Sequence, residues 1–171
     1  MDVLTDLAPA PPVPAAHDIR LTVIVPVYNE EEVLPEFHRR LGAVLDAMSA
    51  SADGEIVYVN DGSRDRSAEL LGALREADAR VAVVDLSRNF GKEIAMSAGL
   101  DFAHGDAVII IDADLQDPPE LIPQMFAAWQ SGADVVLMRR RSRAGESWMK
   151  RATAPQPSPT RVLAPCRDFA N

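Results

Sequence analysis

From residue 21 onward, short apolar segments alternate with longer segments that carry apolar residues at helical spacing. The short segments predict strands at Leu21–Val27, Glu55–Val59, Val81–Leu86, Ala107–Ile111 and Asp134–Met138. The longer segments predict helices at Glu30–Met48, Asp65–Ala77, Lys92–Ala103 and Pro119–Trp129. Nearly continuous apolar strands that alternate with helices are typical of a parallel sheet covered on both faces. We therefore predict an α/β domain with a mostly parallel central sheet flanked by helices.

The chain has 171 residues, enough for one domain with its own core. Residues 1–19 are rich in Pro and Ala and predict a flexible leader, and residues 20–151 contain the alternating pattern of the domain. Residues 152–171 predict an irregular tail, because they hold Pro155, Pro157, Pro159 and Pro165 and show no usable period.

Charge and composition restrict the partners and the compartment. The formal net charge of −9 argues against nucleic acid as a general partner. The lone Cys166 builds no internal disulfide, which favours a reducing compartment. No apolar run approaches the roughly 18 to 20 residues of a membrane helix, and no signal peptide precedes the domain. We expect a cytoplasmic protein, with the basic segment Arg139–Arg143 available for peripheral contact with an anionic membrane.

Polar clusters follow the first two predicted strands, at the edge where ligands of open parallel sheets bind. After strand one, Asn29 with Glu32 predicts a helix cap, which leaves Tyr28 unexplained. After strand two, Asp61-Gly62 predicts a turn, and Ser63 or Asp65 can cap the next helix. A carboxylate at this position, Asp61, is also well placed to accept hydrogen bonds from a ribose or a base.

The cluster after strand three contains Arg88, Gly91 and Lys92. The glycine permits a turn, and the two cations suit a diphosphate or form a solvated surface. Both the G-x-G-x-x-G pattern and the phosphate loop G-x-x-x-x-G-K-[ST] are missing from the sequence, which argues against a nicotinamide enzyme and a P-loop NTPase.

Three carboxylates, Asp112, Asp114 and Asp117, follow strand four within six residues. Carboxylates so closely spaced repel one another unless a cation or hydrogen-bond donors neutralise them, and Mg²⁺ or Mn²⁺ commonly bridges a few carboxylates and substrate phosphates. Asp117 has a structural explanation as a helix N-cap before Pro118, with Glu120 three residues on. Asp112 and Asp114 have no comparable structural explanation. The pattern of an EF-hand is absent.

Taken together, the four clusters resemble the catalytic domain of family 2 glycosyltransferases, which has the glycosyltransferase-A fold. The resemblance extends over residues 21–151, and its last two motifs resemble the polyprenyl-phosphate branch. The matching stretches are Val25–Glu30, Val59–Ser63, Leu86–Glu93 and Asp112–Pro119.

The resemblance implies roles for individual residues. Pro26, Tyr28 and Glu30 would line the pocket for the nucleotide base, and Asp61 would bind the base or the ribose. Near the phosphates, the nucleotide would be held by Asp112, Arg88, Lys92 and Arg140, with Arg143 as a further candidate. The divalent cation, Mg²⁺ or Mn²⁺, would be bound by Asp112, Asp114 and Gln116. Asp114 is the implied catalytic carboxylate, and Asp117 is a candidate base.

The reaction implied by the resemblance is a single displacement with inversion, from a nucleotide sugar to a polyprenyl phosphate. The acceptor phosphate is already ionised near neutral pH, which lessens the need for a strong base. A uridine donor is favoured over GDP-mannose. The sequence stops resembling the family after Ala154, and Met138 stands where the family often has glycine, so we expect a truncation, such as one caused by a frameshift. We expect a nearly complete donor site, no acceptor site, poor sugar transfer and self-association through apolar surface left uncovered.

Three alternatives compete with this interpretation. Asp112 and Asp114 form a D-x-D pair. A phosphatase of the haloacid-dehalogenase type also uses such a pair, but there it follows the first core strand rather than the fourth. A non-catalytic nucleotide-binding or interaction module would retain the fold without turnover. A soluble α/β domain whose polar clusters are helix caps explains each cluster singly, but not all four together.

Overall fold

A computed structural model describes residues 19–137, and the strand that residues 161–163 form. Predictions that fall on Arg140, on the rest of the basic segment and on Cys166 lie outside the described residues. In chain order the elements are β1 (Arg20–Val27), α1 (Leu34–Met48), β2 (Asp53–Asn60), α2 (Ser67–Ala77), β3 (Val81–Asp85), α3 (Lys92–Asp101), β4 (Ala107–Ile110), a 3-10 helix (Pro119–Leu121), α4 (Ile122–Gln130), β5 (Val135–Leu137) and β6 (Arg161–Leu163).

The strands form one six-stranded sheet in the order β3-β2-β1-β4-β6-β5. Strand β1 pairs in parallel with both β2 and β4, and β2 pairs in parallel with β3. Strand β6 is antiparallel to its two neighbours. The carboxyl ends of β1 to β4 therefore lie at one edge of the sheet, as the sequence predicted, and the mostly parallel α/β architecture is confirmed.

Two apolar cores cover the two faces of the sheet. Helices α1, α2 and α4 pack on one face, where α1 buries side chains such as Phe37 and Leu41 at helical spacing. Helix α3 packs on the other face, against Ile24, Val57 and Val59. Since β1 contributes side chains to both cores, its sequence is apolar almost throughout, and this continuity explains why the sheet was predictable.

Helix α3 lies very close to the sheet. A Cβ atom added at Gly99 would lie 2.4 Å from Cγ2 of Ile24 and 3.1 Å from Cγ2 of Val59. Only a residue without a side chain fits this contact, so Gly99 sets how closely the carboxyl-terminal half of α3 approaches the sheet.

The irregular tail predicted for residues 152–171 contains a strand, so this prediction was wrong for Arg161–Leu163. This strand is inserted between β4 and β5. Three residues are too few to show an alternating pattern in the sequence. This strand is determined by its pairing with β4 and β5 rather than by local propensity. The predicted leader also ends one residue too late, because Ile19 is buried and its carbonyl accepts a hydrogen bond from the Asp53 amide at 2.8 Å.

Two observed helical regions differ from the predicted ones. Helix α1 begins at Leu34 rather than at Glu30, and the predicted helix from Pro119 divides into the 3-10 helix and α4. Among the described residues, no helix has both the length and the apolar character needed to cross a bilayer.

Candidate active site

The loop after β1 is joined to the loop after β2 by hydrogen bonds between side chains and backbone. Asn29 has a positive φ of 56°, a conformation that asparagine tolerates better than most residues. Its amide donates to Oγ of Ser63 at 3.1 Å, and its Oδ1 accepts from the Arg64 amide at 2.8 Å. The predicted capping box of Asn29 and Glu32 is therefore wrong: Val33 is the N-cap of α1, without a side-chain cap. Asn29 instead bonds to a loop 35 residues away.

Asp65 strengthens the same junction. Its Oδ1 accepts from the Ser67 amide at 3.0 Å, at the first residue of α2, and its Oδ2 accepts from the Glu31 amide at 3.1 Å. The prediction that Ser63 or Asp65 caps α2 was wrong, because the N-cap is Arg66 and has no side-chain cap. Asp65 stands just before it and bonds to the first residue of α2, whereas Ser63 bonds to the other loop. Hydrogen bonds thus join the first two strand-end loops at the edge of the sheet.

Asp61 lies at the end of β2 and is buried, with 3% of its surface exposed. One carboxylate oxygen accepts from the Phe90 amide at 2.7 Å, and the other accepts from the Gly91 amide at 2.9 Å. Each carboxylate oxygen has two lone pairs, so these bonds leave acceptor capacity on both. The carboxylate therefore connects the end of β2 to the loop that leads into α3.

Lys92, the first residue of α3, forms an ion pair with Asp112 at the end of β4. Its Nζ lies 2.6 Å from Oδ2 of Asp112, and both side chains are about one-third exposed (36% and 29%). Arg88 lies differently, with its guanidinium 4.4 Å from the centre of the Phe90 ring. Of Arg88 and Lys92, the two described cations predicted near a diphosphate, Lys92 contacts a predicted metal-binding carboxylate.

A second carboxylate of the D-x-D pair is fixed by a tight turn. Oδ1 of Asp114 accepts from the Gln116 amide at 2.9 Å, and Leu115 between them has a positive φ of 58°. Glu30 belongs to the same electrostatic environment: burial raises the pKa of its carboxyl group, and the charges of Asp114 and Asp112 raise it further. Glu30, Asp112 and Asp114 thus form a concentration of negative charge at the strand ends.

Within residues 19–137, no three His, Cys, Asp or Glu side chains are arranged to hold a metal ion by themselves. Mg²⁺ is usually bound through one or two carboxylates together with substrate phosphates and water. Asp112 and Asp114 fit that kind of site, in which the diphosphate of a ligand brings the remaining oxygen ligands. Gln116 was predicted as a further ligand, and its observed role here is the backbone hydrogen bond to Asp114.

A pocket of about 190 Å³ opens beside Asp61 and Lys92. Its lining includes Pro26, Tyr28, Asp61, Asn89, Gly91 and Lys92. Sequence reasoning missed Asn89, although it stands within the quoted motif. The lining does not include Glu30, whose pKa responds instead to the carboxylates of the D-x-D pair.

Asp117 does not occupy the predicted N-cap position. The 3-10 helix begins at Pro119, and its N-cap is Pro118, with no side-chain cap. A larger open groove of about 540 Å³ is lined by α1, by Glu120 of the 3-10 helix and by Pro123 at the start of α4. Its charged groups are already paired, since Arg40 binds Glu120 in a bidentate ion pair and Arg39 binds Glu36.

Comparison with known proteins agrees with this geometry. The family model "Glycosyl transferase family 2" matches residues 22–164. The chain is 48% identical over 139 residues to "Uncharacterized glycosyltransferase YkcC" of Bacillus subtilis, a match that covers 81% of this chain and 42% of that protein. It is 45% identical over 136 residues to "Prophage bactoprenol glucosyl transferase homolog" of Escherichia coli, covering 80% and 44%. It is 47% identical over 131 residues to "Undecaprenyl-phosphate 4-deoxy-4-formamido-L-arabinose transferase" of Pseudomonas paraeruginosa, covering 76% and 38%.

Solved structures show the same fold. Staphylococcus aureus TarS 1-349 in complex with UDP-GlcNAc superposes with a TM-score of 0.61 and 25% identity, over 85% of this chain and 45% of that one. The mannosyltransferase PcManGT from Pyrobaculum calidifontis, in complex with GDP-Man and Mn²⁺, gives a TM-score of 0.59 at 25% identity, over 72% and 36%.

The sheet order, the carboxylates beyond β4 and these neighbours define a glycosyltransferase-A fold. The chain belongs to glycosyltransferase family 2. This family membership excludes the alternative of a haloacid-dehalogenase-type phosphatase. The chain spans about two-fifths of the length of the curated relatives it matches.

Proposed function

We propose that the residues at the strand ends, Asp61, Lys92, Asp112 and Asp114, bind the nucleoside diphosphate of a nucleotide-sugar donor. The observation that carries this proposal is the contact of Lys92 with Asp112, 2.6 Å apart at the edge of a parallel sheet. Like-charged carboxylates concentrated there need neutralisation. Lys92 provides part of it in this structure, and the divalent cation that accompanies a diphosphate would provide the rest. The pocket beside this pair is lined by Pro26 and Tyr28 and accepts the base.

Asp112 and Asp114, with Gln116 as a further candidate, would hold Mg²⁺ or Mn²⁺. When bound, the cation offsets the negative charge that grows on the leaving diphosphate. The structure of PcManGT in complex with GDP-Man and Mn²⁺ supports this assignment. Lys92 contributes in a different way. When the donor binds, its ammonium group leaves Asp112 and contacts a phosphate oxygen instead. Arg88 and Arg140 are proposed as further phosphate contacts.

The proposed reaction joins the sugar to a polyprenyl phosphate with inversion. A phosphate oxygen of the acceptor forms a bond to the anomeric carbon, while the bond from that carbon to the nucleoside diphosphate breaks. The names of the bactoprenol and undecaprenyl-phosphate relatives support this acceptor. Because the attacking oxygen carries no proton to be removed, Asp117 is not required as a base, although it remains the candidate for that role.

A UDP-sugar is the proposed donor, and GDP-mannose is the alternative. TarS carries UDP-GlcNAc in its structure and PcManGT carries GDP-Man, so both bases occur among proteins of similar fold. Competition between UDP and GDP for the same protein distinguishes them.

The cytoplasmic face of a membrane is the proposed location, because a polyprenyl acceptor is held there. Val135 and Leu137 are about half exposed and support the proposal of self-association.

Sugar transfer is tested with a radiolabelled UDP-sugar and a polyprenyl phosphate in detergent micelles, by counting label that enters the organic phase. The proposal expects slow labelling at most by the wild type and none by Asp112→Asn. Running the full-length Escherichia coli relative in parallel tests the expectation that this chain transfers slowly. Nucleotide binding without any transfer would support the alternative of a binding module, and neither binding nor transfer would contradict the proposed function.

A further inference from the structure

Helix α3 has exposed apolar side chains at both of its ends. Phe90, just before the N-cap of the helix, is exposed, and so is Ile94 in the first turn, with an exposed fraction of 52%. At the other end, Leu100 is exposed, and Phe102 has an exposed fraction of 53%. A single exposed apolar group needs no explanation, but two that flank the start of one helix indicate a contact surface.

The two ends of α3 lie at opposite edges of the sheet. The helix begins at the donor edge, by which we mean the edge formed by the carboxyl ends of β1 to β4, since the two amides just before it bond to Asp61. The chain that leaves the helix reaches the start of β1, where the Gly105 amide donates to Oγ1 of Thr22 at 2.8 Å. Ile94 therefore stands at the donor edge, and Phe102 stands at the opposite edge.

Cations accompany the apolar groups at the donor edge. The Arg88 guanidinium lies 4.4 Å from the centre of the Phe90 ring, a cation–π contact that places a positive charge beside an exposed aromatic group. Strand β5 also ends at this edge, because β4 and β5 are both antiparallel to β6. Shortly after β5 ends, the sequence enters the basic segment Arg139–Arg143. Apolar side chains combined with cations are typical of proteins that bind the surface of an anionic bilayer.

Acidic groups share the donor edge, among them Glu93 in the first turn of α3 and the carboxylates of the proposed donor site. They oppose attraction to anionic lipid, so charge alone would bind a bilayer weakly. The apolar side chains then have to supply much of the binding free energy, and their removal should be easy to detect.

The proposed reaction determines which partner fits this surface. A polyprenyl phosphate presents its phosphate at the membrane surface while its hydrocarbon chain stays in the bilayer. The sugar donor has to meet that phosphate, so the donor edge faces the bilayer. Side chains that are exposed at this edge then meet the lipid head groups.

We propose that Phe90 and Ile94 insert into the surface of an anionic bilayer, with the amino-terminal end of α3 directed towards the lipid. This inference rests on the proposed function and adds to it the contact surface and the orientation of the domain. Phe102, at the far edge of the sheet, then stays in water.

Flotation with lipid vesicles tests the contact. The purified chain is mixed with vesicles of phosphatidylglycerol and phosphatidylcholine in equal parts, and the bound fraction is measured as the lipid concentration rises. Phe90→Ser and Ile94→Ser remove the apolar groups at the donor edge. Phe102→Ser is the matched control, because it removes a similarly exposed apolar group from the other end of the same helix. Circular dichroism checks that each variant still unfolds cooperatively.

We expect Phe90→Ser and Ile94→Ser each to weaken vesicle binding by roughly five- to tenfold, the scale of one apolar side chain that is no longer withdrawn from water. Phe102→Ser should bind vesicles as the wild type does. Three results would overturn the inference: no vesicle binding by the wild type, equal losses in Ile94→Ser and Phe102→Ser, or binding that neither substitution at the donor edge weakens.

A spin label provides a second measurement that does not require a weakened variant. The label is attached to Ile94→Cys or to Phe102→Cys in a chain that also carries Cys166→Ser, so that each protein has one thiol group. Electron paramagnetic resonance measures collisions of the label with a nickel complex that stays in water. When vesicles are added, the label at Ile94→Cys should lose these collisions and the label at Phe102→Cys should keep them. Equal protection of both labels, or protection at Ile94→Cys that needs no vesicles and grows with protein concentration, would contradict a lipid contact; the latter would indicate a second copy of the chain.

Nucleotide affinity, measured without vesicles, separates this inference from the proposed function. Ile94 does not line the pocket beside Asp61, so Ile94→Ser should bind UDP or GDP as the wild type does. A wild type that binds neither nucleotide contradicts the proposed function and, with it, the reason for a membrane partner. Nucleotide binding without vesicle binding overturns this inference alone.

Discussion

Lys92 and Asp112 form an ion pair with 2.6 Å between Nζ and Oδ2, although they stand 20 residues apart. Lys92 is the first residue of α3, and Asp112 follows the end of β4. A lysine therefore neutralises the carboxylate that the proposed donor site assigns to a cation. A divalent cation that arrives alone must displace this ammonium group, whereas a cation that arrives with a diphosphate offers the lysine a new partner.

We predict that Lys92→Met binds free Mn²⁺ more tightly than the wild type, by roughly two- to fivefold, because a partly exposed ion pair is worth under about 1 kcal/mol. The same variant is expected to bind UDP more weakly. The measurement is the electron paramagnetic resonance signal of free Mn²⁺ during titration. Arg75→Met removes a charge from the exposed surface of α2 and should leave Mn²⁺ affinity unchanged. Tighter metal binding by the control as well would attribute the effect to net charge alone.

Gly99→Ala should destabilise the fold by about 1–3 kcal/mol, because its methyl group would overlap Ile24 at the contact between α3 and β1. Urea unfolding followed by circular dichroism measures the loss. Gly72→Ala is the matched control: it lies in α2, and a Cβ there meets nothing within 4 Å. We expect this variant to gain about 0.5–1 kcal/mol from helix propensity. Equal effects of the two substitutions would contradict the close packing of α3.

Thr22→Val should cost about 1–3 kcal/mol, because the hydroxyl group is a buried hydrogen-bond centre. Oγ1 of Thr22 accepts from the Gly105 amide at 2.8 Å and donates to Oε1 of Glu55 at 2.5 Å. Thr22→Ser keeps both bonds and should cost clearly less in the same urea experiment. This network lies at the amino-terminal side of the sheet, so neither variant should alter nucleotide affinity. A valine variant as stable as the serine variant would show that the hydroxyl group contributes nothing.

His38 should make stability depend on pH. Its Nδ1 lies 3.1 Å from the Tyr58 hydroxyl group, and burial lowers its pKa, with Asp78 opposing that shift and Arg80 adding to it. The folded protein then binds fewer protons at this site than the unfolded chain, so the contribution is complete above the unfolded pKa of about 6.5 and is lost as pH falls below it.

The check compares the free energy of unfolding at about pH 7.5 and about pH 5.5, on either side of that unfolded pKa, for the wild type and His38→Gln. Glutamine does not titrate, so the variant should lose less stability between these values than the wild type. Parallel losses in the two proteins would contradict a depressed pKa for His38.

Much of the sheet could be predicted because β1 and β4 are apolar on both faces, and the apolar runs mark the strands within a few residues. The sequence also placed Asp61, Lys92 and Asp112 at one edge. It could not show how these groups are joined, since the bonds of Asp61 to Phe90 and Gly91 cross about 30 residues and depend on the packing of α3. Local cap patterns failed at Asn29 for the same reason: tertiary partners were available, and they replaced the local ones.

The most direct test of the donor site is the thermal unfolding of the purified chain with UDP or GDP, each with and without Mn²⁺. A ligand that binds only the folded state stabilises it by roughly 2.7 kcal/mol at a hundredfold excess over Kd. Asp114→Asn keeps the acceptor for the Gln116 amide and removes the charge, and Asp101→Asn makes the same change at the exposed end of α3. We predict a metal-dependent rise in Tm with one nucleotide that survives in Asp101→Asn and is lost in Asp114→Asn. A cooperative transition that neither nucleotide shifts, or a shift that Asp114→Asn retains in full, would contradict the proposed donor site.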